Sequence, residues 1–145
     1  MSATPDADAL FAEALRLHER RDTAGSIACT RAALERDPDH VRALEHLGTL
    51  LVTRRRRYRE GLEALERAVA LRPTDPGLWY GLGWNCEFAA HEIRRRRGAD
   101  DPEPDDLYMR AAEAFGRCLA LEPDGKLRGD AEDLLDHVEN ELAQR

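Results

Sequence analysis

The residues that could carry chemistry in this chain are either scattered or gathered into runs. Two histidine–glutamate pairs, His18-Glu19 and His91-Glu92, begin like a zinc-protease signature, but neither has a second histidine four residues after the first. Cys29, Cys86 and Cys118 lie far apart with no CxxC spacing, so they form neither a zinc knuckle nor a redox pair and read as small buried hydrophobes. The GLG at Gly81 to Gly83 is too short for a dinucleotide loop and falls inside a helical pattern. With no nucleophile elbow and no phosphate loop either, neither catalysis, nor a metal, nor a cofactor is expected.

The runs carry more. Arg54, Arg55, Arg56 and Arg57 form one basic block; Arg94, Arg95, Arg96 and Arg97 form another, followed by Gly98 and the acids Asp100, Asp101, Glu103, Asp105 and Asp106. Tyr80, Trp84 and Phe88 recur every four residues, a stripe along one side of a helix. A second apolar stripe, Trp79, Leu82, Cys86, Ala90 and Ile93, occupies a different face of the same segment. A helix apolar on two sides is either fully buried or touches something else.

Composition bounds the rest. At 145 residues, 42% of them hydrophobic, the chain is one domain with enough apolar material for a core. Its net charge of -7 argues against a general polyanion binder, and nucleic acid is disfavoured as a partner. No apolar run approaches the ~20 residues that span a bilayer. The start MSATPDADAL has neither a basic region before an apolar one nor a glycine after the methionine, so a cytoplasmic protein is expected.

Three segments, SIACTRAALERDPDH, GLEALERAVALRPTD and AAEAFGRCLALEPDG, align on Pro38, Pro73 and Pro123. Each has helical period and is stopped by its proline, which donates no N–H and disfavours helix in the residue before it. A helical pattern precedes each one, with Leu10, Ala14 and Leu17, then Leu44, Leu47, Gly48 and Leu51, then Trp79, Leu82, Gly83 and Cys86 on the packing face. The unit is helix–turn–helix with small residues where the paired helices approach.

These features resemble the tetratricopeptide repeat (TPR) family, through Leu47-Gly48, Trp79 with Leu82-Gly83, the Ala/aliphatic pairs and the closing Asp37-Pro38, Arg72-Pro73 and Glu122-Pro123. The first copy departs from the pattern, having Glu13-Ala14 in place of Leu-Gly, and the proline spacings of 35 and 50 exceed the family's usual period. The resemblance implies an all-α, right-handed solenoid of helical hairpins in a single domain, 1–145. Repeat one would span about 7–40, repeat two 41–75 and repeat three 76–124 with an inserted loop at 98–106. The amphipathic tail at 126–143, with Leu127, Ala131, Leu134, Val138 and Leu142 on one side, would cap the array. The first helix of repeat three should run about 20 residues, with Gly98 ending it and Asp105 or Asp106 capping the next.

The resemblance also implies a concave groove lined by the first helix of each repeat. Its positions here are Phe11, Leu15 and His18, then Arg42, Glu45, Thr49 and Val52, then Tyr80, Trp84, Glu87 and Phe88. Some members grip a C-terminal carboxylate with basic and amide side chains; the matching positions look like Phe11, Leu15, Gly77 and Gly81, so that clamp is missing. The implied function is an adaptor or scaffold that binds an apolar or aromatic peptide or helix of a partner protein. Three alternatives stand beside it: a secretion-type chaperone for an apolar client, a homodimer through the Tyr80–Trp84–Phe88 face, or an arginine edge that takes an acidic protein segment. The stripe could equally be covered by the cap or by the long helix itself. The arginines could equally be solvated charge that compensates helix dipoles and is neutralised by the acids that follow.

Overall fold

In a computed structural model that describes residues 6–144, the chain forms seven α-helices, with no strand among the described residues. In order these are α1 (Ala7–Glu19), α2 (Thr23–Arg36), α3 (Val41–Arg55), α4 (Tyr58–Leu71), α5 (Pro76–Arg95), α6 (Pro104–Ala120) and α7 (Gly125–Ala143). Helices α1 and α2, α3 and α4, and α5 and α6 pack as hairpins, and α7 closes the array against α6 and α5. No described helix is long and apolar enough to cross a membrane.

Local chemistry sets the starts and stops. Asp6, Asp22 and Asp75 accept a hydrogen bond from a first-turn backbone N–H of α1, α2 and α5, at 2.7, 2.8 and 2.9 Å. The imidazole Nδ1 of His40 does the same for α3. Asp37 and Arg72, each kept out of the helical region by the proline after it, end α2 and α4. Before Pro123 the turn is different: Glu122 takes a left-handed backbone at φ 55°.

The small residues sit where the hairpins close. A side chain on Gly48 would reach to 2.7 Å from the Gly61 carbonyl and 2.6 Å from Leu65, so α3 and α4 touch backbone to backbone. In the first hairpin the Ser26 hydroxyl donates to the Ala14 carbonyl at 2.8 Å. In the third, the Phe115 ring lies against Gly83, filling the place a Cβ would take. One large core, including Leu62, Leu65, Ile93, Leu107, Tyr108 and Phe115, joins α3 through α7. The first hairpin has only a small cluster of Phe11, Ala14, Ala33 and Ala43, matching the weak first copy of the motif.

The long third unit differs from expectation in its boundaries. Helix α5 has 20 residues against 15 in α3, as its periodicity predicts. It ends at Arg95, however, rather than at Gly98. Arg96 turns extended with its N–H on the Glu92 carbonyl, and the Gly98 N–H is taken by the Asp101 carboxylate at 2.7 Å. Helix α6 begins with Pro104 after Glu103, not with Asp105 or Asp106 as cap. Proline suits the first helical position, where no N–H partner is needed, and the two aspartates then lie in the first turn, beside the positive end of the helix dipole.

Candidate binding groove

Helices α1, α3 and α5 carry a run of three depressions. Phe11, Leu15, Arg42, Glu45, His46 and Thr49 line the first, of about 260 Å³. His18, His46, Thr49, Leu50, Thr53, Arg54, Trp84 and Phe88 line the second, of about 410 Å³. Val52, Thr53, Arg56, Tyr58, Phe88, Glu92, Arg95 and Arg96 line the third, of about 540 Å³. The first two share His46 and Thr49, and the last two share Thr53 and Phe88, so they form one continuous groove.

Its apolar centre is an aromatic pair. The Trp84 and Phe88 rings stack with centroids 5.5 Å apart and planes 17° from parallel. Trp84 is 37% exposed, among the few large apolar side chains left open to solvent. Near them on α5 lies a buried polar residue. Asn85 donates to the Gly81 carbonyl at 2.8 Å and to Thr49 at 3.3 Å. Across the groove the His18 and His46 rings meet edge to face at 5.1 Å. His46 Nε2 lies 2.9 Å from the Ser26 hydroxyl, whose proton goes to the Ala14 carbonyl, so the imidazole donates to Ser26. Burial, with His18 beside it, lowers the His46 pKa. At the first depression, burial and then Asp75 raise the Glu45 carboxyl, and Arg42, stacked over Phe11, opposes them.

The expected groove positions divide into three groups. Leu15, His18, Arg42, Glu45, Thr49, Trp84 and Phe88 line the depressions. Phe11, at 5% exposed, and Val52, at 1%, are core residues that form its floor. Tyr80 packs on α6 instead, and Glu87 meets the cap. The Tyr80 ring packs on Phe115 with centroids 5.8 Å apart, and its phenol is raised by burial and by Asp130 of α7. Glu87 is raised by burial, with His137 of α7 3.5 Å away. The stripe is therefore split, because α6 and α7 pack against one side of α5 and leave the other open. His46 and Thr53 were missed, although both continue the spacing of Arg42 and Thr49 along α3.

The arginine runs divide as well. Arg94 pairs with Glu141 at 2.7 Å and lies over the Tyr108 ring, and Arg97 pairs with Glu103 at 2.5 Å. Arg57 approaches Glu60 at 3.7 Å, and Arg95 meets Glu92 at 3.2 Å. Arg56 donates to the Arg96 carbonyl and Arg59 to that of Asp100, which fastens the α3–α4 turn to the loop before α6. Arg54, Arg55 and Arg96 have no carboxylate within ion-pair distance among the described residues.

The tetratricopeptide repeat family profile matches residues 11–76 and again 51–86, together just over half of the sequence. The chain is a tetratricopeptide repeat protein. A TPR repeat-containing protein of Pseudomonas aeruginosa is 33% identical to it over 79 residues, 54% of this chain. That stretch is only 13% of the relative's own length. Among solved structures, the first TPR domain of Spaghetti, bound to an HSP90 peptide SRMEEVD, superposes with a TM-score of 0.73 at 17% identity over 95% of this chain and 94% of that one. The Sgt2 TPR domain of Aspergillus fumigatus gives 0.64 at 17% identity over 99% and 83%. At these identities the likeness is one of fold: an all-α TPR solenoid.

Proposed function

We propose that this TPR protein is a protein-interaction module that holds a peptide or helix of a partner protein in the groove of α1, α3 and α5. The observation that carries the reading is the stacked Trp84–Phe88 pair, with Trp84 open to solvent and Phe88 at the junction of two depressions. Exposed aromatics on a rigid helix are strong anchors, since little side-chain freedom is lost on binding and truncation often costs about 2 kcal/mol or more. The HSP90 peptide bound to the Spaghetti domain supports peptide binding as a use of this fold. The uncharged Phe11, Leu15, Gly77 and Gly81 weigh against a copy of the carboxylate clamp.

The test is affinity capture from host lysate with the wild type and with Trp84→Ala, both first confirmed as helical by circular dichroism. A protein recovered by the wild type and lost with the variant is the expected result. Equal recovery by both sinks the groove reading. Mass measured against concentration, for wild type and Trp84→Ala, separates the alternative in which Trp84 and Phe88 form a homodimer.

A further inference from the structure

The third depression differs from the other two in its charge. It lies between the α3–α4 turn and the end of α5, and it gathers Arg56, Arg95 and Arg96 around a single carboxylate, Glu92. That carboxylate is committed to Arg95 at 3.2 Å. Arg56 spends its short hydrogen bond, 2.7 Å, on the Arg96 carbonyl and comes no nearer than 3.9 Å to Glu92 or Asp101. Arg96 has no acidic partner among the described residues, nor does Arg54 in the adjoining depression. The fold thus consumes Arg94 and Arg97 in ion pairs with residues outside this depression, and leaves on the groove Arg95, paired with Glu92, and Arg96, which has no acidic partner among the described residues.

A second observation points the same way. Tyr58 lines this depression and is 2% exposed, with Arg56 above its ring at 5.3 Å. Its hydroxyl is buried with no hydrogen-bond partner among the described residues. A phenol donor without an acceptor, in a residue that lines a depression with guanidinium groups in excess of carboxylates, is the kind of group an anionic oxygen would satisfy.

We infer that this end of the groove is a carboxylate-binding subsite, and that the partner segment carries Asp or Glu next to the apolar residue seated on Trp84 and Phe88. The inference rests on the groove reading above and names the chemistry of its ligand. Phe88 walls both depressions, so an anchor on the aromatic pair lies beside the arginines. An extended chain advances about 3.3 Å per residue, which puts the carboxylates roughly one to three residues from the anchor. The opposite end of the groove carries Glu45 beside Arg42, so an acidic flank gains at one end only and the segment has a direction.

The experiment is selection from a random peptide library displayed on phage, against wild type, Arg95→Gln/Arg96→Gln, Trp84→Ala and, as a control on α2 outside the groove, Arg36→Gln. Both members of the arginine pair are exposed, and circular dichroism confirms that each variant folds. Wild type and Arg36→Gln are expected to enrich Asp or Glu within three residues of an aromatic or aliphatic residue. The arginine variant should lose that acidic preference and bind a synthetic copy of a selected peptide about tenfold more weakly at low salt, the effect expected of two partly exposed ion pairs. That difference should shrink at high salt. Enriched peptides without acids, or an acidic preference kept by the arginine variant, overturns the subsite; the groove reading survives if Trp84→Ala still loses the peptides. Identical peptides from all four proteins overturn both. Displacement of the peptide by oligodeoxythymidine at equal concentration overturns the assignment to a protein segment.

Discussion

The Arg56 guanidinium donates to the Arg96 carbonyl across 2.7 Å, joining residues forty positions apart in the chain. Arg56 is itself the left-handed cap of α3, at φ 55°, and its side chain also lies over the Tyr58 ring. One side chain thus fixes how the second hairpin meets the loop of the third. Arg56→Ala should cost about 1 kcal/mol from the lost hydrogen bond. Faster amide exchange should appear across residues 96–103 while the middle of α3 keeps its protection. Unchanged exchange in the loop would remove this role.

Two glycines should respond to alanine with opposite signs. At Gly48 the new methyl would press on the Gly61 carbonyl, a backbone atom that cannot swing aside, so the helices must separate at an overpacking cost of about 1–3 kcal/mol. Gly116 of α6 has nothing within 4 Å of the added atom, so alanine there should stabilise by roughly 0.5–1 kcal/mol through backbone entropy alone. Denaturant midpoints of Gly48→Ala and Gly116→Ala decide it.

His46 makes the fold sensitive to mild acid. Its pKa is lowered in the folded state, so in acid the unfolded chain takes up the proton first. The stability this neutral imidazole contributes is present above about pH 6.5, where an ordinary histidine titrates, and is lost as pH falls below it. His46→Gln can still donate to Ser26 but does not titrate. Its urea midpoint should therefore fall less between pH 7.5 and 5.5 than that of the wild type, and parallel pH curves would refute the assignment.

The three thiols should react in order of exposure. Cys29 is half-buried, whereas Cys86 and Cys118 are buried, and burial pushes the Cys86 thiol up to about 12 and raises Cys118. The thiolate is the reactive form. With an aromatic disulfide reagent at pH 8, native protein should release one equivalent promptly, from Cys29, and the other two only as it unfolds. Prompt reaction of Cys86 would mean that the third hairpin opens locally.

Much of the fold was legible because its signals are local. The prolines at 38, 73 and 123 and the small residues at Gly48, Gly61 and Gly83 mark where helices stop and where they touch. The length of α5 follows from its apolar period, and Trp84 and Phe88 follow from their spacing on it. The boundaries of the third loop were less legible, since Gly98, Asp105 and Asp106 are all good terminators on their own. Which of them serves depends on where Asp101 and Pro104 are held.

The sequence by itself determined the repeat, the seven helices and which side of each helix is apolar, because periodicity and capping act within a few residues. Only the tertiary structure decided which charges and aromatics remain free. Tyr80 and Trp84 are one helical turn apart and equivalent in pattern, yet the Tyr80 ring packs on Phe115 of α6 while Trp84 is left open. Arg94 and Arg96 stand in one run of identical residues, yet only Arg94 comes within reach of Glu141. Such partners lie some fifty residues away along the chain, and no local pattern encodes which of them the packing brings close.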